Sequence, residues 1–388
     1  MSSAPHVGSA AWTAARLAWR DVATASSRAL IARRVDGLRR DSSEAPSFLE
    51  AGTHEVPTAR GTLPPWPPGR DRESPEVASA HHRQRHRRHV VDGVWPADRC
   101  GALASSTASA LAPLRDRHGE ASVAALGWAS RDVLGDDAFA EMRDALREMR
   151  REAERVFSFG RPEASVRGDE ASPNGETGRD RENTTVATGK ARRLFPVGAL
   201  LTHIVPARVE GTPGHVAERL EDVFEKNAPP ATPRASDARG YWSPHVDKAN
   251  VPEYDVSAIL YLSTGAKTSP AAEASEARAA ETTPRAEFSG GSLVFLDESG
   301  GSADDETNEH GVALCGRAGT RARRVTPRRG RLVVFASGEE NVHAVSVVET
   351  GARATLNLWL SADARVGADA SVFDAELWSE GAEETGEK

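Results

Sequence analysis

A chain of 388 residues has room for two domains, but only 39 % of it is hydrophobic, 27 % is charged, and 33 Gly and 23 Pro interrupt it. Long stretches are therefore expected not to pack, leaving one folded domain with much extra sequence in an intracellular soluble chain. Two cysteines, Cys100 and Cys315, exclude a disulfide framework and point to a reducing compartment; no apolar run reaches the roughly 18–20 residues of a membrane span, and the net charge of -8 argues against nucleic-acid binding.

The first 40 residues hold seven Arg and two Asp, no Lys or Glu, and many Ala and Ser. An organellar transit peptide has that composition, and so does a basic disordered tail. Residues 1–89 are thus expected to be a disordered or targeting region, with the Pro-rich Leu63-Pro-Pro-Trp-Pro-Pro68 in an extended linker. The run from His81 to His89 is a His/Arg-rich linker, with metal, nucleic acid or an import receptor as alternatives. Folded structure is expected from Val90, where Val90-Val-Asp-Gly-Val94 leads into a helix near Asp98, and to extend to Asp363; residues 364–388 read as an acidic tail.

The clearest helix runs from Asp136 to Phe159, with Phe139, Met142, Leu146, Met149 and Val156 on one face and Gly160 past its end; it should brace a sheet. Arg161 to Thr185 loses apolar pattern and reads as an insertion. Leu194 to Val205 is a strand region in which His203 is not expected to ligate anything. His215 to Asn227 is helix-like, Gly265 to Glu287 is low complexity, and Ser299 to Arg324 is a solvated loop where Arg321, Arg323 and Arg324 answer Asp304-Asp-Glu306. Short β-branched or aromatic runs at Val256–Leu262, Ser292–Leu296, Arg331–Phe335, Val342–Val348 and Ala352–Leu360 are successive strands.

His245 and Asp247 lie two apart, so on a strand both side chains leave one face and can grip one ion. A third ligand must come from elsewhere, and His343 in Asn341-Val-His343 is the candidate. Two imidazoles and a carboxylate on one side of a metal suit a mononuclear iron centre; zinc also takes these ligands but prefers a tetrahedral site. A His-Xaa-Asp triplet alone is weak evidence, and its weight comes from the strands around it.

The runs Trp-Ser-Pro-His-Val-Asp-Lys at 242–248, Leu-Tyr-Leu-Ser at 260–263 and Ser337-Gly-Glu-Glu-Asn-Val-His343 resemble the prolyl 4-hydroxylase-like branch of the 2-oxoglutarate and Fe(II)-dependent oxygenases. The likeness covers Tyr241–Leu262, Gly290–Phe295 and Pro327–Leu360, with a weaker entry around Val90. It implies an α+β fold: a double-stranded β-helix (jelly roll, cupin-like) with supporting N-terminal helices. It implies metal ligands His245, Asp247 and His343, with Arg353 and Tyr261 holding the far carboxylate of 2-oxoglutarate; a guanidinium fork suits a carboxylate. Residues 90–363 would be the dioxygenase domain. The cofactors implied are Fe(2+), 2-oxoglutarate as cosubstrate, and ascorbate. The activity implied is hydroxylation of a C–H bond by O2, with release of succinate and CO2, on a peptide or protein side chain such as proline. The alternatives are a catalytically silent β-helix that binds or scaffolds, and a dioxygenase acting on a small molecule or nucleic acid.

Strand parity adds a geometric expectation. A three-residue hairpin loop, Glu349-Thr-Gly351 with Gly351 left-handed, would pair Val347 with Arg353 and turn both His343 and Arg353 inward. Thr355, Asn357 and Trp359 would then line the site while Ala354, Leu356, Leu358 and Leu360 face away. Trp359 reads more as packing than as a substrate platform.

Overall fold

The computed structural model describes residues 9–40, 47–56, 63, 87–117, 123–127, 131–157, 193–206, 215–218, 244–266, 286–298, 320–363 and 366. Its longer helices are α1 (Ala10–Arg40), α2 (Ala97–Arg117) and α3 (Asp136–Val156), with the short α4 (Asp247–Asn250) later in the chain. The strands are β1 (Ser47–Leu49), β2 (Gly52–Glu55), β3 (Arg87–Val91), β4 (Val123–Gly127), β5 (Phe195–Ile204), β6 (His215–Glu218) and β7 (Val256–Tyr261). They continue as β8 (Phe288–Gly290), β9 (Leu293–Glu298), β10 (Thr320–Val325), β11 (Leu332–Ala336), β12 (His343–Val345), β13 (Val348–Gly351) and β14 (Arg353–Ser361).

An eight-stranded sheet in the order β2-β3-β11-β7-β14-β5-β4-β6 and a four-stranded sheet in the order β1-β10-β9-β12 form a double-stranded β-helix, with β13 and β8 paired separately. Side-chain alternation separates two cores. Ile259, Tyr261, Leu293, Phe295, Val333, Phe335 and Val345 fill one cluster, which draws on both sheets. Ala258, Leu260, Leu332, Val334, Ala354, Leu356, Leu358 and Leu360 leave the large sheet on its other face and pack with the helices. There α3 buries Phe139, Met142, Ala145, Leu146, Met149 and Ala153, the three- and four-residue recurrence that makes it a brace. Each large side chain so buried contributes about 1.5–3 kcal/mol.

Several expectations are corrected. Disorder does not describe residues 10–40: α1 is Ala-rich, and Trp12, Trp19, Ala23 and Leu30 are buried along one face. β1, β2 and the start of β3 likewise join the sheets before residue 90. The expected hairpin does not form, because β12 pairs with β9, β13 with β8, and β14 with β5 and β7. Gly351 is left-handed at φ 71°, as the loop required, but it turns the chain from one sheet to the other. Asp247 opens α4 instead of continuing a strand. Arg321, Arg323 and Arg324 lie in β10, and residues 215–218 form a strand, not a helix. Tyr241, Cys315, Asp304–Glu306 and the expected insertions at 161–185, 267–285 and 299–319 lie outside the described residues, as do the linker at 64–86 and the tail beyond 366. No helix among the described residues is long and apolar enough to cross a membrane.

Candidate metal centre

His245 and His343 reach each other through a backbone bridge, His245 N–H donating to His343 O at 2.8 Å and His343 N–H to His245 O at 3.0 Å. The bridge sets their rings 4.3 Å apart between centroids. The chain leaves the bridge through extended Val246 and enters α4 at Asp247, whose Oδ1 lies 3.4 Å from His245 Nε2 and 3.7 Å from His343 Nε2. One donor atom from each residue lies within 4.8 Å of the others, and among the described residues this is the one group of three His, Cys, Asp or Glu so placed. The start of a helix, not the middle of a strand, therefore carries the carboxylate of the triplet.

Hydrogen bonds aim the His343 and Asp247 donors. His343 Nδ1–H can donate to the Asn341 carbonyl at 2.9 Å, which leaves Nε2 with its lone pair toward Asp247. Asp247 Oδ2 accepts from Ser257 Oγ at 2.7 Å and from Trp359 Nε1 at 3.1 Å, so Oδ1 is the oxygen presented to the imidazoles. Ser257 is itself held by Ser337 Oγ at 2.7 Å. Burial alone would raise the Asp247 carboxyl, but the His343 and His245 imidazoles and the Ser257 hydroxyl outweigh it and hold the group well below the ordinary carboxylate range. Burial, reinforced by His245, lowers His343 from 6.5 to about 4 and keeps it neutral, the form that binds metals.

Farther along the inward face, β14 presents Arg353, Thr355, Asn357 and Trp359 in alternation, as strand parity predicted. Thr355 lies opposite Tyr261 on one side and Thr202 on the other, with Thr355 and Thr202 hydroxyls 2.6 Å apart. Asn357 donates to Leu200 O at 3.1 Å and so is committed to the scaffold. Trp359 stacks on Tyr254 at 5.1 Å and bonds Asp247; it is more than packing. Arg353 is 2 % exposed and its Nε donates to Gly291 O at 2.8 Å, while the Tyr261 hydroxyl is buried with no hydrogen-bond partner. The guanidinium carbon lies 5.3 Å from the Tyr261 ring centroid. An orphaned hydroxyl beside a buried guanidinium fits a carboxylate ligand that would accept from both. His203 pairs with Ala354, on the outward face, away from the cluster.

Sequence reasoning missed Ser257, Ser337 and Asn341. Ser257 was within reach of the parity argument, being two and four residues from inward-facing Ile259 and Tyr261. It also missed Arg88, which binds Asp297 through both terminal nitrogens at 2.5 and 3.0 Å, donates to Asn341 Oδ1 at 2.7 Å and lies 3.8 Å over the Phe295 ring. Nothing in the run Arg83–His89 marks Arg88 as different from its neighbours. Cys100 is buried and its thiol is pushed up to about 11 by that burial, so it offers no thiolate.

The 2OG-Fe(II) oxygenase superfamily model matches residues 234–361, which contain the whole cluster and Arg353. Among curated proteins the chain is similar to 2-oxoglutarate and iron-dependent oxygenase domain-containing protein 3 of Xenopus tropicalis, 30 % identical over 118 residues, covering 30 % of this chain and 25 % of that protein. The Homo sapiens protein of the same name is 26 % identical over 133 residues, covering 34 % and 29 %. The chain thus spans between a quarter and a third of the length of these relatives. Of solved structures, a Pseudomonas putida prolyl-4-hydroxylase is 16 % identical, covering 71 % of this chain and 91 % of that one at a TM-score of 0.33. The carbocyclase SnoK from nogalamycin biosynthesis is 12 % identical, covering 75 % and 85 % at 0.36.

Proposed function

We propose that this chain, whose residues 234–361 carry a 2OG-Fe(II) oxygenase domain, is a 2-oxoglutarate and Fe(II)-dependent dioxygenase that hydroxylates a protein side chain, with proline the first candidate. The observation that carries the reading is the convergence of His245, Asp247 and His343 donors at one point, with Arg353 and an unpartnered Tyr261 hydroxyl buried on the same inward face. The three residues would hold Fe(II) on one side and leave the opposite positions open. Arg353 and Tyr261 would take the far carboxylate of 2-oxoglutarate.

With both bound, the centre supplies oxidation of a C–H bond by O2, coupled to conversion of 2-oxoglutarate to succinate and CO2; one oxygen atom enters the substrate and one the succinate. The protein's part is placement. Ser257 and Trp359 occupy Asp247 Oδ2 and so direct Oδ1 to the metal, and the Asn341 carbonyl fixes the His343 tautomer. Buried Phe295 and Phe335, with ring centroids 5.9 and 5.0 Å from His343, keep water from that side. No side chain has to act as a nucleophile. The peptide substrate, and ascorbate as a reductant that would sustain turnover, rest on the likeness of the ligand-bearing motifs to the prolyl 4-hydroxylase-like branch.

The test is an anaerobic titration of the protein with Fe(II) and 2-oxoglutarate, monitored for the visible charge-transfer band of the chelate, beside His343→Ala. A band absent from the variant, followed by succinate release on addition of O2 and a Pro-containing peptide, is the expected result. A folded protein with no band is a binding module or takes another metal. A band with succinate released only in the presence of a small molecule or nucleic acid overturns the peptide assignment alone.

A further inference from the structure

The two histidines of the centre sit on a backbone bridge whose intervening and preceding residues point the other way. Val246, between His245 and Asp247, and Val342, just before His343, are each 1 % exposed or less, and both belong to a cluster with Trp12, Trp19, Ala23 and Leu30 of α1. Ala249 of α4 and Leu296 of β9 complete it. Side chains from one short two-stranded unit thus divide, imidazoles toward the metal position and valines toward α1.

Polar contacts orient α1 along this unit. Near its start, Arg16 Nε lies 3.1 Å from Glu253 Oε2, just past α4. Near its end, buried Arg34 donates through Nη1 to the Leu296 carbonyl at 2.6 Å and, more weakly, to the Glu340 carbonyl at 3.5 Å. Leu296 N–H in turn donates to Val342 O at 2.9 Å. Gly37 closes against β10, where a Cβ would meet Thr320 Oγ1 at 2.3 Å. The first half of the helix therefore lies over 246–253, and the second over β9, β10 and 340–342.

We propose that α1 is a positioning element of the metal centre, its first half fixing the His245–Asp247 segment and its second half fixing His343. The inference rests on the assignment of those three residues as a metal site, and it gives residues 10–40 a role that lies outside the superfamily match at 234–361. Trp19 and Arg34 are the positioning residues. Trp19 shares one buried cluster with Val246 and Ala249, and Arg34 ties the strand that receives Val342. Packed side chains behind a metal ligand restrict its motion; loss of a partner hydrogen-bonded to a ligand costs metal sites about 10- to 100-fold in affinity, and support one layer further out belongs at the lower end of that range.

The experiment compares full-length protein with Trp19→Ala and Arg34→Gln, using hydrogen exchange of the metal-free protein and Co(II) titration as readouts. Trp19→Ala should speed exchange at His245, Lys248 and Val251 amides, and Arg34→Gln at Leu296 and His343, while amides of β14 and β5 keep their protection. Co(II) affinity should fall about tenfold in each. Trp19→Phe and Arg34→Lys should recover most of it, since each keeps volume or charge at its place. Unchanged exchange at the bridge, or protection lost equally across β14 and β5, overturns the proposal, the second outcome showing that α1 only stabilises the fold. Wild-type protein that fails to bind Co(II) or Fe(II) refutes the metal assignment instead, and the exchange pattern still reports whether α1 holds the bridge.

Discussion

Removal of one oxygen atom, in Tyr261→Phe, should have effects of opposite sign on the ligand-free and ligand-bound protein. The Tyr261 side chain is 0 % exposed and its hydroxyl completes no hydrogen bond of full geometry, with Arg353 and the Leu293 backbone its nearest polar neighbours, so the folded protein recovers only part of the desolvation of that group. Burial also raises its phenol above the ordinary value against the pull of Arg353, so the group stays neutral and can donate. An unpaired buried hydroxyl costs about 1–3 kcal/mol. The phenylalanine ring fills nearly the same space, so the ligand-free variant should be more stable, melting about 2–4 °C higher for each kcal/mol recovered in a domain of this size. With 2-oxoglutarate present the hydroxyl would donate to a carboxylate, a bond worth about 1.5–3 kcal/mol. Its loss should raise the 2-oxoglutarate Kd about 10- to 100-fold. Calorimetric melting without ligand and anaerobic 2-oxoglutarate titration of the Fe(II)-loaded protein measure the two halves. A variant that melts lower and binds 2-oxoglutarate as tightly as wild type would refute the reasoning, since the hydroxyl would then be structural.

Ser257→Ala should weaken Co(II) or Fe(II) binding about tenfold, because Asp247 Oδ2 loses a 2.7 Å donor and the carboxylate can rotate, and should also lower the melting temperature, because buried Ser337 Oγ loses its 2.7 Å partner; equal affinity in a metal titration would show that Trp359 alone suffices. Arg88→Ala leaves buried Asp297 with Arg323, 2.9 Å away, and without its two-pronged partner, and should cost about 3–5 kcal/mol in urea unfolding. The paired change Arg88→Leu with Asp297→Leu should recover much of that loss, and a double variant as unstable as the single one would show that the ion pair is not the cause. Metal-free protein should lose stability as pH falls from about 6.5 toward about 4, because an unfolded His343 takes up a proton that the folded one refuses. Below the folded value that contribution is gone, and His343→Ala should flatten this part of the pH profile of the melting temperature.

What the sequence determined by itself is local. Alternation along Arg353–Ser361 fixed which side chains share a face, and the three- and four-residue recurrence in Asp136–Val156 fixed the buried side of α3, because both follow from backbone geometry within one element. The ligand candidates were legible for the same reason: His245 and Asp247 are near neighbours, and His343 and Arg353 sit on strands of readable pattern. The stripe of Trp12, Trp19, Ala23 and Leu30, at intervals of four and seven, was also present in the sequence but masked by a composition that fits a leader or a tail. Tertiary structure alone decided which strands pair. The chain crosses between sheets after β12, so the expected hairpin gave way to partners far along the chain, whose contacts no local pattern encodes. Arg88 meets Asp297 across 209 residues and Arg34 meets the Leu296 carbonyl across 262. Such contacts depend on how the sheets close and how α1 lies over them, and a buried arginine and an exposed one are the same letter until that packing exists.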